Sequence, residues 1–368
     1  MRDITAMKSM LCVLGILVLL SSSGIHAFDP NVPQTFDALC KRDSSGYPAD
    51  SDIVNCWGFE TDEELFYHDP LGTNSPCKNA NGSHILADHP NGISNPVPYL
   101  NAGVNTTTCL HPERVTEFST SGTHSIKVVQ VDYGGGNSGG TFRPYFKHYI
   151  GADGKQKFAG FGAGGELWIH WRYRQNNELF QYHSKRFMVT HKDSTYEHVL
   201  IAVGTPGGGR GDPPYKYLCA YNYKGALSYG CSDTLVYEAN KWHTFVMHIK
   251  IPDVIDDQAG TSNGLFELFM DGQRVVHAPN FRNSPCCGPA YVGAYNDALD
   301  FETQHDLNVL MRLDFLLFEN GKTGTGSRPM GAMYIDDVVV SRKQLPTILP
   351  SGDRDNLPPS PPQGLTAN

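Results

Sequence analysis

Imidazole, phenol and guanidinium side chains recur at alternate positions in several short segments of this chain. Residues 166–174 read ELWIHWRYR, which sets Leu167, Ile169, Trp171 and Tyr173 against Trp168, His170, Arg172 and Arg174 if the segment is a strand. Residues 141–149 (TFRPYFKHY) put Arg143, Tyr145, Lys147 and Tyr149 on one side, and residues 181–189 (QYHSKRFMV) do the same for Gln181, His183 and Lys185. In residues 196–203, Val199, Ile201 and Val203 read as core, which leaves Tyr196 and His198 on the other side. In residues 308–318, Arg312 and Asp314 oppose Met311, Leu313, Phe315 and Leu317. A cation that neutralises a carboxylate makes the neighbouring C–H more acidic. An imidazole or phenol can then take that proton, and another can protonate a leaving oxygen. Arg172 or Arg143 suits the first role, His170 or His198 the base, and Tyr145 or Tyr295 the acid. Arg143, Lys147, Trp168, Arg174, Gln181, Lys185 and Arg312 are candidates for holding an anionic polymer, with Gln181 as an amide helper. The plainer alternative is that charges on the outward face of a sheet are there for solvent alone.

These residues need strands to position them. From about residue 113 onward, short runs alternate between apolar and polar residues and are separated by Gly, Asn and Asp, the strand signature. No segment reads as a long amphipathic helix. The expected fold is all-β, an antiparallel β-jelly roll (a two-sheet sandwich) with a loop-rich, disulfide-bearing N-terminal region. The expected organisation is a signal peptide over 1–27, the jelly roll over 28–345 and a Pro-rich linker or tail over 346–368.

Of 368 residues, 18% are charged and 38 are Gly and 24 Pro, which disfavours a coiled coil or helical bundle. The formal charge is -9. Without the leader (Arg2, Asp3 and Lys8 removed from 29 basic and 38 acidic residues) 27 basic and 37 acidic residues remain, or -10. An acidic chain is a poor nucleic-acid binder. Arg2 and Lys8 followed by LCVLGILVLL and the small residues up to Ala27 read as a secretory leader. No other stretch reads as a membrane span, so the expectation is a secreted (extracellular or periplasmic) monomer. Cys40, Cys56, Cys77, Cys109, Cys219, Cys231, Cys286 and Cys287 remain after the leader, an even number that suits disulfides in an exported chain. Cys219 and Cys231 flank a hairpin-like segment and are expected to pair. The first four are expected to pair among themselves.

Three segments carry a resemblance: CWGFE at residues 56–60, NKWHTFVMHIKIPD followed by NGLFELFMDGQRVV over residues 240–276, and MYIDDVVVS at residues 333–341. Together they resemble the concanavalin A-like lectin/glucanase superfamily, and within it exported polysaccharide lyases of the alginate, glucuronan and heparin lyase type. The resemblance implies a lyase-like enzyme that cleaves an acidic polysaccharide by β-elimination. The alternative is a non-catalytic carbohydrate-binding or adhesion module of the same fold. It also implies that the first and last strands lie together and hold a structural calcium through Glu60 and Asp337; the competing expectation is that Asp336 and Asp337 merely cap a strand or pair with Arg342. No strand shows the Glu-x-Asp-x-Glu spacing of a retaining glucanase.

Overall fold

The computed structural model describes residues 29–44, 47–60, 93–94, 113–129, 141–176, 184–190, 197–203, 218–221, 228–231, 238–256, 261–281, 294–300, 310–319 and 332–350. The leader, Gln181, the other four cysteines of the loop regions and the tail beyond 350 lie outside the described residues. In chain order the elements are β1 (Gln34–Thr35), α1 (Phe36–Leu39), β2 (Ile53–Trp57), β3 (Ile93–Ser94), β4 (Glu113–Val115), β5 (Ser125–Val129), β6 (Thr141–Pro144) and β7 (His148–Ile150). Then come β8 (Gln156–Phe161), β9 (Glu166–Gln175), β10 (Ser184–Thr190), β11 (Glu197–Val203), β12 (Leu218–Tyr221), β13 (Ser228–Cys231), β14 (His243–Lys250) and β15 (Ile255–Asp256). The last are β16 (Thr261–Ser262), β17 (Leu265–Met270), β18 (Gln273–Pro279), β19 (Tyr295–Asp300), β20 (Arg312–Glu319), β21 (Ala332–Ser341) and β22 (Ile348–Leu349).

Two antiparallel sheets form the sandwich. The larger has eight strands, ordered β18-β17-β14-β9-β21-β5-β4 with β2 paired to β21; the smaller has seven, ordered β13-β12-β11-β10-β20-β6-β3. The all-β expectation holds, and α1 is the one helix among the described residues. Alternation in β9 works as read: Leu167, Ile169, Trp171 and Tyr173 are buried in the main core with Phe245, Met247 and Ile249 of β14. Facing them from the smaller sheet are Phe187, Val189, Leu313 and Phe315. Trp171 ties the layers together. Its ring stacks on Phe245 at 5.3 Å and meets the edges of Phe187 and Phe315 at 4.9 and 6.0 Å. Each such side chain stabilises the fold by about 1.5–3 kcal/mol through burial.

The outer face of the larger sheet carries a second, smaller core. Trp168, Ile53, Cys56 and Val339 pack there against Phe36, Leu39, Cys40, Leu345 and Ile348. The two chain ends supply this cover. β1 pairs in parallel with β22, so the packed structure continues through Leu349. Thr35 caps α1, its Oγ1 accepting from Ala38 N–H at 3.2 Å, and the Cys40–Cys56 disulfide fastens the helix to β2. In the smaller sheet the register sets Cys219 opposite Cys231 across β12 and β13.

Candidate functional site

The sequence placed imidazole and cationic side chains from separate segments along one trough. The structure divides them instead. β9 belongs to the larger sheet, whereas β6, β10, β11 and β20 belong to the smaller one. Trp168, His170, Arg172 and Arg174 do share a side of β9, but α1 and the segment around β22 cover part of it, over Trp168 and Arg172.

His170 is 1% exposed, and its Nδ1 lies 2.9 Å from the Asp337 carbonyl. Burial, then the neighbouring Arg172, hold its pKa down to about 3, so the ring is neutral. Arg172 is 6% exposed. Its Nη2 donates to Ile348 O at 2.9 Å and its Nε lies 3.2 Å from Asp337 Oδ2. Both side chains are thus buried against protein groups. Trp168 stacks on His248 at 3.8 Å and donates to Glu166 Oε1 at 3.2 Å. Arg174 donates to Asn240 O, and its guanidinium lies 3.8 Å from the Phe118 ring centroid. The alternation was read correctly; what covers that face comes from segments distant in sequence.

Beside this ion pair, β21 carries one residue more than β9 between Asp336 and Val339, and Asp337 sits at φ +49°. The extra residue leaves Asp336 and Asp337 both fully buried. Asp336 Oδ2 accepts from Thr120 N–H at 2.7 Å and Asp337 Oδ2 accepts from Ser121 Oγ at 2.7 Å. Burial pushes both carboxyls up, Asp337 to about 6 with Arg172 opposing the rise, while the Asp337 charge adds to the rise at Asp336. The Asp336–Asp337 pair does not bond Arg342, which donates to Ser51 O and Asp52 Oδ1. Glu60, just after β2, meets the loop that carries Thr120 and Ser121. Its oxygens accept from Thr123 N–H and His124 N–H, each at 3.0 Å, and a Cβ on Gly122 (φ +62°) would lie 2.3 Å from Glu60 Oε1. One guanidinium thus faces two buried carboxylates, and Asp337 Oδ1 has no hydrogen-bond partner. Among the described residues no group of three or more His, Cys, Asp or Glu is placed to hold a metal ion, so a hard cation here would have to rely on hydroxyl and backbone oxygens beside the carboxylates. Thr120 and Ser121 escaped the sequence reading; the only signal was the polar run STSGTHS beside a strand.

In the smaller sheet the register draws a different group together. Thr190 of β10 pairs with Glu197 of β11 on one side and Arg312 of β20 on the other, and Arg312 bridges to Tyr145. One band across the sheet therefore holds Tyr145, Arg312 and, next to Glu197, His198. Arg143 lies in β6, which pairs with β20, and Lys185 lies in β10. The Arg312 guanidinium is 5.7 Å from the Tyr145 ring centroid, and the two residues are 4% and 3% exposed. Tyr145 packs with Phe158, Leu299 and Met311. Two other candidates fall away from this band. Lys147 pairs with Asp297 at 3.5 Å and lies over Tyr47, while Tyr295 packs on Phe161 with the Arg342 guanidinium over its ring.

No family model matches the chain, and no curated protein does either. Among solved structures it is similar to polysaccharide lyases. With an endo-β-1,4-glucuronan lyase from the fungus Trichoderma reesei it shares 15% identity at a TM-score of 0.38, over 66% of this chain and 91% of that one. With an alginate lyase from Chlorella virus it shares 13% identity at a TM-score of 0.35, over 64% and 90%. With a marine alginate lyase from Aplysia kurodai it shares 12% identity at a TM-score of 0.34, over 63% and 87%. Among the described residues no helix is long and apolar enough to cross a membrane.

Proposed function

We propose that the protein is an exported lyase that cleaves an acidic polysaccharide by β-elimination on the smaller sheet. The observation that carries this reading is the register that sets Arg312 against Tyr145 and, through Thr190, in line with Glu197, the neighbour of His198. Arg312, helped by Arg143, neutralises the substrate carboxylate. His198 removes the proton at C5, the C4–O bond breaks, a C4=C5 double bond forms, and Tyr145 protonates the departing oxygen. Lys185 adds charge along the strand. Glu60 and Asp337 hold a structural calcium on the larger sheet, where it offsets the buried charge of the aspartates and takes no part in the reaction. The near-complete burial of Tyr145 and Arg312 favours a second reading, a non-catalytic carbohydrate-binding module, because a reacting group must meet its substrate.

Ultraviolet absorbance of the unsaturated uronate separates the two. On alginate, glucuronan or heparin the wild type is expected to raise it, and Tyr145→Phe to cut the rate by roughly 10²–10⁴-fold with the thermal midpoint retained. Binding with no rise on any polyanion selects the module.

A further inference from the structure

The larger sheet carries a titratable cluster that neither the core nor the proposed reaction uses. His248 of β14 lies between carboxylates from its two neighbouring strands. Its Nε2 is 2.9 Å from Glu166 Oε1 of β9 and its Nδ1 is 3.1 Å from Glu267 Oε2 of β17. An ionised carboxylate accepts and never donates. Both contacts are therefore hydrogen bonds only when both ring nitrogens carry hydrogen; the neutral ring must turn a lone pair towards one carboxylate. The imidazole is held flat on the Trp168 indole, 3.8 Å away and 9° from parallel, so it cannot swing aside without breaking that stack. Further charged groups from the neighbouring strands join the row. Glu267 Oε1 also accepts from Arg274 Nη1 at 2.9 Å and lies 3.0 Å from His277 Nδ1, both on β18. Lys250, two residues along β14, acts on Glu166.

We propose that Glu166–His248–Glu267 is a proton-operated clamp that ties the central strand β9 to the edge hairpin β17–β18. The carboxylate ends set its lower limit. The His248 hydrogen bond holds Glu166 below its ordinary range. Burial raises Glu267, but hydrogen bonds from His248 and Arg274 outweigh it and leave the net shift downward. Groups lowered on folding contribute stability above their unfolded pKa and lose it as pH falls through the folded one. The upper limit is the loss of the second ring proton, which removes one of the two ties. The clamp is complete while both carboxylates are ionised and the ring carries both protons, and half-open once the ring has lost one.

Trp168 reports the state of the clamp, because a protonated imidazole against an indole quenches its emission. In the full chain, acidification from about pH 8 to about pH 5 is expected to lower the emission in one step. That step should vanish in both Trp168→Phe and His248→Gln. Amide exchange in β17–β18 of the wild type, corrected for its intrinsic pH dependence, should slow across the same interval. This second readout needs no variant to fold. Survival of the step in either variant, its absence from the wild type, or exchange in the hairpin indifferent to pH would overturn the proposal.

Discussion

The outer face of the larger sheet and the Thr190–Arg312–Tyr145 band of the smaller one use the same residue types for opposite ends. On the larger sheet, α1 and β22 pack over Trp168, Arg172 donates to the Ile348 carbonyl, and its guanidinium lies against Asp337. In the smaller sheet, a guanidinium and a phenol meet through a strand register that also aligns a third element. The contrast teaches that a polar row on a strand is not a site until the chain's own ends are accounted for. Arg172 and Arg312 are both more than nine-tenths buried, the first against the Asp337 carboxylate and the second beside the Tyr145 ring.

The most damaging way to test this contrast is to remove the guanidinium from the covered face. Arg172→Leu keeps much of the volume but leaves Asp336 and Asp337 without their counter-charge. Breaking one partner out of a buried pair costs roughly 3–5 kcal/mol. Denaturant unfolding should show a loss of that size. A stable Arg172→Leu protein with diminished turnover on a polyanion would return Arg172 to the reaction and dissolve the division between the faces.

Much of this was legible before any coordinates. The alternation in residues 166–174 separated Leu167, Ile169, Trp171 and Tyr173 from Trp168, His170, Arg172 and Arg174 correctly, because a strand's period is fixed by backbone geometry. The pairing of MYIDDVVVS with CWGFE came out as β21 beside β2. What could not be read was which sheet each strand joins and what lies over it. That β9 pairs with β14 and β21 while β10 pairs with β20 is a matter of long-range hydrogen bonding, to which a two-residue period is blind. The cover was invisible for a different reason. Phe36, Leu39 and Ile348 sit in short segments full of Pro, Asp and Thr, and they gain apolar partners such as Trp168, Ile53 and Val339 only once distant strands are brought together. In the band, Tyr145 and Arg312 were both named from their own strands, but their bridge joins residues far apart in the chain.

If the cover is what makes the larger sheet's outer face structural, loosening it should matter in proportion to how it is fastened. The Cys40–Cys56 bond joins residues 16 apart and anchors α1 on β2. Closing a loop of that size limits the unfolded chain by about 3 kcal/mol in the loop-entropy account. Cys40→Ser should therefore lower stability by nearly that much, measured against denaturant without reductant. An unchanged midpoint would mean that the helix is held by packing alone. Gly58→Ala probes the same cover from below. An added Cβ would come within 2.8 Å of Phe36 Cε1, so the ring must shift and its packing in the second core loosen. Overpacking of this kind costs about 1–3 kcal/mol, and a neutral result would show that Phe36 has room to move.

The gentlest probe is the cap on α1. The helix has four residues, and Thr35 Oγ1 meets one of its free N–H groups, that of Ala38, at 3.2 Å. Thr35→Ala should cost about 0.5–1 kcal/mol, a small change in global stability. Its value lies in where the loss falls. Should the cover open as a unit while the sandwich stays folded, amide exchange at residues 36–40 ought to speed up roughly 2–5-fold, with the β9 and β14 core unchanged. An equal acceleration in β9 would mean that the cover and the sheet open together, so that the outer face of the larger sheet is exposed only on global unfolding. Acceleration confined to the helix would instead make the cover a separate unit laid over a sheet that keeps its fold without it, with the Arg172–Asp337 pair at its underside.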